Sequence, residues 1–412
     1  MISVLDRFLR YVTYDTQSDE TSSTYPSTAK QLVLLGDLAD ELRGLGLTDL
    51  AVDQYGYLMA TIPSTSRRDG VPTIGFLAHV DTSPEVSGAG VRPIVHRAYD
   101  GRDLVLPDDP ASVIRLADNP PLSQQMGQDI VTASGTTLLG ADNKAGVAEI
   151  VTAAAYLMSH PDMAHGPVRI GFTPDEEIGR GTRHFDVRRF GAHCAYTMDG
   201  GGRGEVESES FSADAMTVTF HGFNTHPGYA KGRMVNAIKV AGAFLHLLPR
   251  DTLSPETTNG REGFVHPYTM QSGVDRTVVK LIVRDFETTA LGAKETLVER
   301  LASEAAALFP GARASVEVEA QYRNMREVLD QHADVVSRAH EAVRRAGLDV
   351  RERPIRGGTD GSRLSFMGLP TPNIFAGEHN FHSRLEWVSV ADMEKAVEVI
   401  VHLCRVWEER PD

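Results

Sequence analysis

Apolar residues recur three and four positions apart in VLDRFLRYV and in PSTAKQLVLLGDLADELRGLGL, which predicts two amphipathic helices near the start of the chain. VPTIGFLAHVD breaks that rhythm. It is a short apolar run rich in β-formers, bounded by Gly70 and Pro84, and predicts a buried strand. KAGVAEIVTAAAYLMSH returns to helical spacing, with Val147, Ile150, Val151, Ala154, Leu157 and Met158 on one face. HGPVRIGFTPDEE and AHCAYTMDGGG each predict a further strand, and both end in acidic residues. Strand, helix, strand alternation predicts a mostly parallel sheet flanked by helices.

The pattern changes near residue 210. DAMTVTFHG predicts a strand, VNAIKVAGAFLHLL a helix, and YTMQSGVDRTVVKLIVRDF two strands joined at a turn. KETLVERLASEAAALF is a second helix and ASVEVEAQY a closing strand, so the order is β-α-β-β-α-β, that of a small ferredoxin-like α+β domain. Beyond about 320 the first style resumes, with the helices DVVSRAHEAVRRAGL and MEKAVEVIVHLCRVW around an apolar strand near PTPNIFAG. The expected organisation is one α/β domain made of 1–209 and 320–412, interrupted by an inserted domain of 210–319.

Composition narrows the function classes. The chain has 412 residues, a length at which a single core stops growing and two domains are expected. With 41 Lys+Arg against 56 Asp+Glu, the net charge of −15 argues against a nucleic-acid or anionic-membrane surface. No apolar run approaches the roughly 18 residues of a membrane span. MISVLDRFLRYVTYDTQ lacks the basic start, apolar core and cleavage site of a signal peptide. Cys194 and Cys404 are too few for a disulfide framework and are expected as buried thiols. The expected setting is the cytoplasm.

The candidate chemistry gathers at the strand ends: His79 and Asp81, then Asp142, Glu176 and Glu177, Asp199, and His382. Each alone has an ordinary explanation, as Asp142 would serve as a helix N-cap and Glu176-Glu177 as a solvated turn. Together, five segments deliver metal-competent groups to the carboxyl edge of one sheet, where α/β proteins bind ligands. Imidazole and carboxylate donors suit two zinc ions, with manganese or cobalt as alternatives. In His79-x-Asp81 the two side chains share a strand face, so Asp81 is placed to accept a hydrogen bond from the second ring nitrogen of His79. Glu176 and Glu177 diverge, so one can bind metal while the other serves as general base. These residues point to a metal-assisted hydrolase.

GFLAHVDT, LLGADNKAGVAEI, FTPDEEIGRGTRHFD and YTMDGGGRGE resemble the metal-site motifs of the M20 metallopeptidase family. YDTQS, NTHPGYAKGRMVNA, ETTNGREGF, IVRDFE, RGGTDGSRLSFMGLPTPNIFAG and NFH resemble its tripeptide aminopeptidases, over residues 11 to 395. The resemblance implies that His79 and Asp199 hold one zinc, Glu177 and His382 the other, and that Asp142 bridges them. It makes Glu176 the general base and Asp81 the aspartate that orients His79, and it implies a cis peptide between Asp142 and Asn143. The tail departs from the family pattern: GEHNFHSRLE offers His379 as well as His382, and alignment on Asn380 and Phe381 selects His382. Ser383 and Arg384 also replace the usual small and basic residues.

The implied activity is release of the N-terminal residue from tripeptides by water activated at two zinc ions, serving intracellular peptide turnover. His226, in NTHPG, resembles the histidine that stabilises the oxyanion. Selecting three residues requires reading a free amine and a free carboxylate at fixed separation. Arg284 and Arg356 are candidates for the carboxylate, with Asn224 and Lys231 as weaker ones, and structural ion pairs are the competing use of both arginines. The inserted domain is expected to act as a lid and to join two subunits in a homodimer. Another M20-type hydrolase (a dipeptidase, carboxypeptidase or N-acyl amino-acid deacylase) is the alternative; a non-catalytic relative is disfavoured because all seven positions are present.

Overall fold

Strands Ile74–His79 and Val168–Thr173 are buried along their whole length in the computed structural model, which describes residues 2–409. They sit at the centre of an eight-stranded sheet with the order Thr48–Val52, Leu58–Ile62, Val168–Thr173, Ile74–His79, Cys194–Gly200, Asn373–Phe375, Glu205–Glu207 and Arg351–Glu352. The run from Val168–Thr173 to Asn373–Phe375 is parallel, while antiparallel pairings flank it. Buried on both faces, the central strands need no polar alternation, which is why they read as continuous apolar runs.

Helix Ala141–Ser159 supplies Val147, Ala148, Ile150, Val151, Ala154 and Leu157 to the same core, and helix Val390–Glu409 supplies Met393, Ala396, Ile400, Leu403 and Trp407. Gly146 sets how closely the first of these helices approaches the sheet. A Cβ there would lie 1.9 Å from the carbonyl oxygen of Met198, in strand Cys194–Gly200. That approach brings Asp142, at the start of the helix, beside Asp199, near the end of the strand. Among the described residues, no helix is long and apolar enough to cross a membrane. Cys194 and Cys404 are free and buried, as expected.

A second, smaller antiparallel sheet escaped the sequence pattern. Its strands Glu378–His379, Trp387–Ser389, Ile130–Thr132 and Ile94–His96 are two or three residues long, too short to express a period.

The chain divides into one unit made of 1–208, 328–353 and 359–412 and another made of 209–327 and 354–358. In the second unit, strands Phe264–Gln271, Arg276–Asp285, Ser212–His221 and Arg313–Tyr322 form an antiparallel sheet in that order. With helices Ala237–Leu247 and Thr288–Ala307, the chain order is β-α-β-β-α-β. Val218, Phe220, Val279 and Leu281 face Ala241, Phe244, Val298 and Ala302 in its core. The boundary expected after 319 falls inside strand Arg313–Tyr322, whose pairing with Ser212–His221 runs on to Tyr322. Residues 354–358 return to this unit because Ile355 exchanges backbone hydrogen bonds with Glu209 and Phe211.

Candidate metal centre

The first unit brings His79, Asp81, Asp142, Glu176, Glu177, Asp199 and His382 to one place. His79 is the last residue of its strand, Asp199 the sixth of seven in its own, and Glu176 and Glu177 follow strand Val168–Thr173. Asp142 stands in a non-helical stretch at the start of Ala141–Ser159, and its bond to Asn143 is cis. Glu386 holds this stretch in place, since its carboxylate accepts the backbone N–H of Leu139, Gly140 and Asp142 at 2.7, 2.8 and 3.0 Å. His382 rides on a turn anchored by Asn380, whose side-chain amide donates to Asn119 Oδ1 and to the carbonyl of Leu385. Ser383 tightens that turn by donating to the carbonyl of Asn380.

Asp142 lies between the two histidines and presents one oxygen to each. Its Oδ1 is 2.9 Å from His79 Nε2 and its Oδ2 is 3.4 Å from His382 Nε2. Asp199 Oδ1 is 3.4 Å from the same His79 nitrogen, and Glu177 Oε2 is 2.7 Å from the same His382 nitrogen. Two groups of potential ligand atoms, each within 4.8 Å of one another, share Asp142: one with His79 and Glu177, the other with Asp199 and Glu378.

Asp81 does something the sequence did not announce. His79 Nδ1 lies closer to the backbone carbonyl of Asp81, at 3.0 Å, than to its carboxylate, at 3.4 Å. The carboxylate accepts instead from the backbone N–H of Glu176 at 3.0 Å and of Glu177 at 3.2 Å. Asp175, with φ of 59°, anchors the other side of that turn by accepting from the Ser27 backbone N–H and the Gln31 side chain. The diacid turn is thus clamped by two buried aspartates, neither of them a member of the two ligand groups.

The electrostatics describe an excess of buried negative charge. Burial drives Glu176 well above the usual carboxylate range; His79 opposes this, and Asp360, Asp199 and Glu177 add to it. Burial and Asp142 push Glu177 up to about 8. Burial alone would lower His79, yet Asp199, Asp142 and Asp81 hold it well above its ordinary value. Glu177 Oε1 and both oxygens of Glu378 are buried without a hydrogen-bond partner. Imidazole nitrogens and carboxylate oxygens converging on one buried point, with orphaned oxygens among them, fit divalent cations of borderline hardness.

Glu378, Glu386, Asp175 and Asp360 were missed from sequence. The signal for Glu378 lay in the doublet Glu378-His379: neighbours on a strand point to opposite faces, so only one could reach the centre. His379 takes the other face and stacks on Trp387, ring centroids 4.0 Å apart. Asp360, buried and pushed up to about 6 by that burial, accepts from Thr173 Oγ1 at 2.7 Å.

The remaining candidates belong to the second unit. Asn224, His226 and Lys231 lie on exposed loop residues, and His226 Nδ1 accepts the Gly228 N–H at 3.2 Å. Arg284 donates one hydrogen bond to the Arg356 carbonyl, and its Nε is buried without a partner. Arg356 is committed to the adjoining loop. Its guanidinium donates to the carbonyls of Gly260, Glu262 and Thr258 and to the Thr258 hydroxyl.

Comparison with known proteins follows the same lines. The family model described as peptidase family M20/M25/M40 matches residues 137–406. A protein of Bacillus velezensis called peptidase T is 49% identical over 407 residues, covering 99% of each chain. The crystal structure of a tripeptidase from Staphylococcus aureus superposes with a TM-score of 0.77 at 20% identity, covering 99% of this chain and 98% of that one. A Bacillus subtilis protein described as a dinuclear metal binding peptidase of the M20 family gives 0.67 at 17% identity, covering 98% of both chains. At those identities the two structures speak for the fold.

Proposed function

This chain belongs to peptidase family M20/M25/M40, and on that premise we propose that it is a tripeptide aminopeptidase, a hydrolase that releases the N-terminal residue. The observation that carries the metal-hydrolase part of this reading is Asp142 set between His79 and His382 with one oxygen toward each, placed as a carboxylate shared by two ions about 3.5–4 Å apart would be, and the 49% identity to a peptidase T supports the tripeptide part. We assign His79 and Asp199 to one ion, Glu177 and His382 to the other, and Asp142 to both. Zinc is the metal of this reading, with manganese and cobalt as the alternatives. Bound there, two divalent ions would lower the pKa of a water and polarise the peptide carbonyl.

The chain's own residues then divide the work. Glu176, in its ionised form, takes the proton of the attacking water and returns it to the leaving amine; its burial, with Asp360, Asp199 and Glu177 nearby, raises its affinity for that proton. Asp81 acts as a positioning residue by holding the backbone that carries Glu176 and Glu177. His226 is assigned to the oxyanion. Of the two arginines, Arg284 is better suited to a substrate carboxylate, because Arg356 spends its donors on loop carbonyls. Asn224 and Lys231 complete the proposed substrate contacts. The second unit would serve as lid and as the contact between two subunits. We place this hydrolase in the cytoplasm, a reducing compartment with which the free buried thiols Cys194 and Cys404 are compatible, and assign it to peptide turnover there.

The test offers tripeptides, dipeptides and amino-blocked peptides to the metal-loaded protein. Tripeptides should be cleaved fastest, at the first bond. Rapid cleavage confined to blocked or two-residue substrates would reject the reading in favour of another M20-type hydrolase. Glu176→Gln should keep its metal and lose about 10²–10⁴ in kcat, and near-normal turnover would remove Glu176 from its role.

A further inference from the structure

Glu378 is 1% exposed, and neither of its carboxylate oxygens has a hydrogen-bond partner. One of those oxygens lies within 4.8 Å of carboxylate oxygens of both Asp142 and Asp199. The backbone leaves the side chain little choice of direction. Strand Glu378–His379 is registered on Trp387–Ser389, with Glu378 opposite Val388 and His379 opposite Trp387. Gly377, at φ of 77°, leads the chain into this strand past Asp392, where a Cβ would come within 2.6 Å of the aspartate's own Cβ. With His379 stacked on Trp387, the pleat turns Glu378 to the opposite face, toward the two aspartates.

A buried carboxylate without donors is costly, and one set beside two further carboxylates is costlier still. A cation shared among them removes both penalties. We propose that Glu378 is a further ligand of the metal centre, adding an oxygen donor on the side where Asp142 and Asp199 meet. This rests on the proposed metal centre and extends its ligand set beyond His79, Asp142, Glu177, Asp199 and His382. A fourth protein donor at the His79–Asp142–Asp199 position, three of the four being carboxylates, exceeds a catalytic zinc site with an open position and favours a five- or six-coordinate ion such as manganese.

The experiment strips the full-length protein with a chelator, then titrates it with Zn²⁺ and with Mn²⁺ by calorimetry. Metal content after desalting and circular dichroism are read in parallel. The unaltered chain should bind two equivalents. Glu378→Gln, close in shape to a neutral glutamic acid, should weaken one equivalent at least tenfold, more for Mn²⁺ than for Zn²⁺, and leave the other within about twofold. Glu149→Gln removes another fully buried carboxylate without a partner, one outside the ligand groups, and should leave both equivalents unchanged. Equal weakening of both equivalents by Glu378→Gln, or of neither, overturns the assignment while the metal centre stands. An unaltered chain that binds no divalent ion overturns both. Should Glu378→Gln not fold, a crystal structure of the metal-loaded unaltered protein decides: a Glu378 oxygen about 2.0–2.2 Å from an ion is expected, and one more than about 3 Å from every ion overturns the proposal.

Discussion

Asp81 shows how one carboxylate can organise a site through the backbone. By accepting from the N–H groups of Glu176 and Glu177 together, it fixes where both side chains start. A charged acceptor holds two amides more strongly than a neutral one, and its loss leaves buried donors without partners. Asp81→Asn should therefore lower kcat for a tripeptide by about 10–100-fold, with KM changed by no more than about threefold. A rise in KM with kcat preserved would instead make Asp81 part of the substrate pocket. The same residue marks a limit of legibility. Two-residue spacing predicted a shared face for His79 and Asp81, yet which Asp81 oxygen meets the imidazole depends on the turn beyond the strand. There the carbonyl comes closer, and the carboxylate is released for the diacid turn.

Helix Val4–Tyr11 is joined to helix Gln31–Gly44 through one acidic side chain. Glu41 accepts from Arg7 Nε at 2.8 Å and from the Tyr11 hydroxyl at 2.6 Å, and also pairs with Arg10. Burial would raise Glu41, but the Tyr11 hydroxyl and the guanidinium groups of Arg7 and Arg10 overcome it and hold Glu41 below its ordinary 4.5. A carboxyl lowered on folding contributes its stability above its unfolded value and loses it as pH falls. Glu41→Gln should thus cost about 1.5–3 kcal/mol at pH 7. In urea titrations the gap should close as pH falls below about 4.5, and a gap that widens in acid would contradict the assignment. Both helices were legible from apolar spacing, whereas their tie was not, because it joins residues 34 positions apart. The ferredoxin-like order was equally legible. Its end was not, since strand Arg313–Tyr322 gains its last residues by pairing with Ser212–His221, a contact the local pattern does not record.

For the molecule as a whole, the buried carboxylates couple metal binding to folding. Chelation should leave Glu176, Glu177, Asp199 and Glu378 to repel one another, so the metal-free protein should melt earlier. Free ion at a hundred times its Kd should restore about 2.7 kcal/mol. An unfolding temperature indifferent to chelator and to added ion would argue against the metal centre. The net charge of −15 is in this light partly a site property, because some of it faces inward. What the sequence determined by itself is which residues meet. Parallel strands align their carboxyl ends on one edge, so groups placed just after buried apolar runs must converge, and His79, Glu176, Glu177 and Asp199 did so together with Asp142 and His382. Only the tertiary structure decided which way each neighbour of those residues faces. Glu378 points toward the metal centre and His379 away from it, onto Trp387, because a strand of two residues takes its register from Trp387–Ser389, and two residues are too few to carry a pattern of their own.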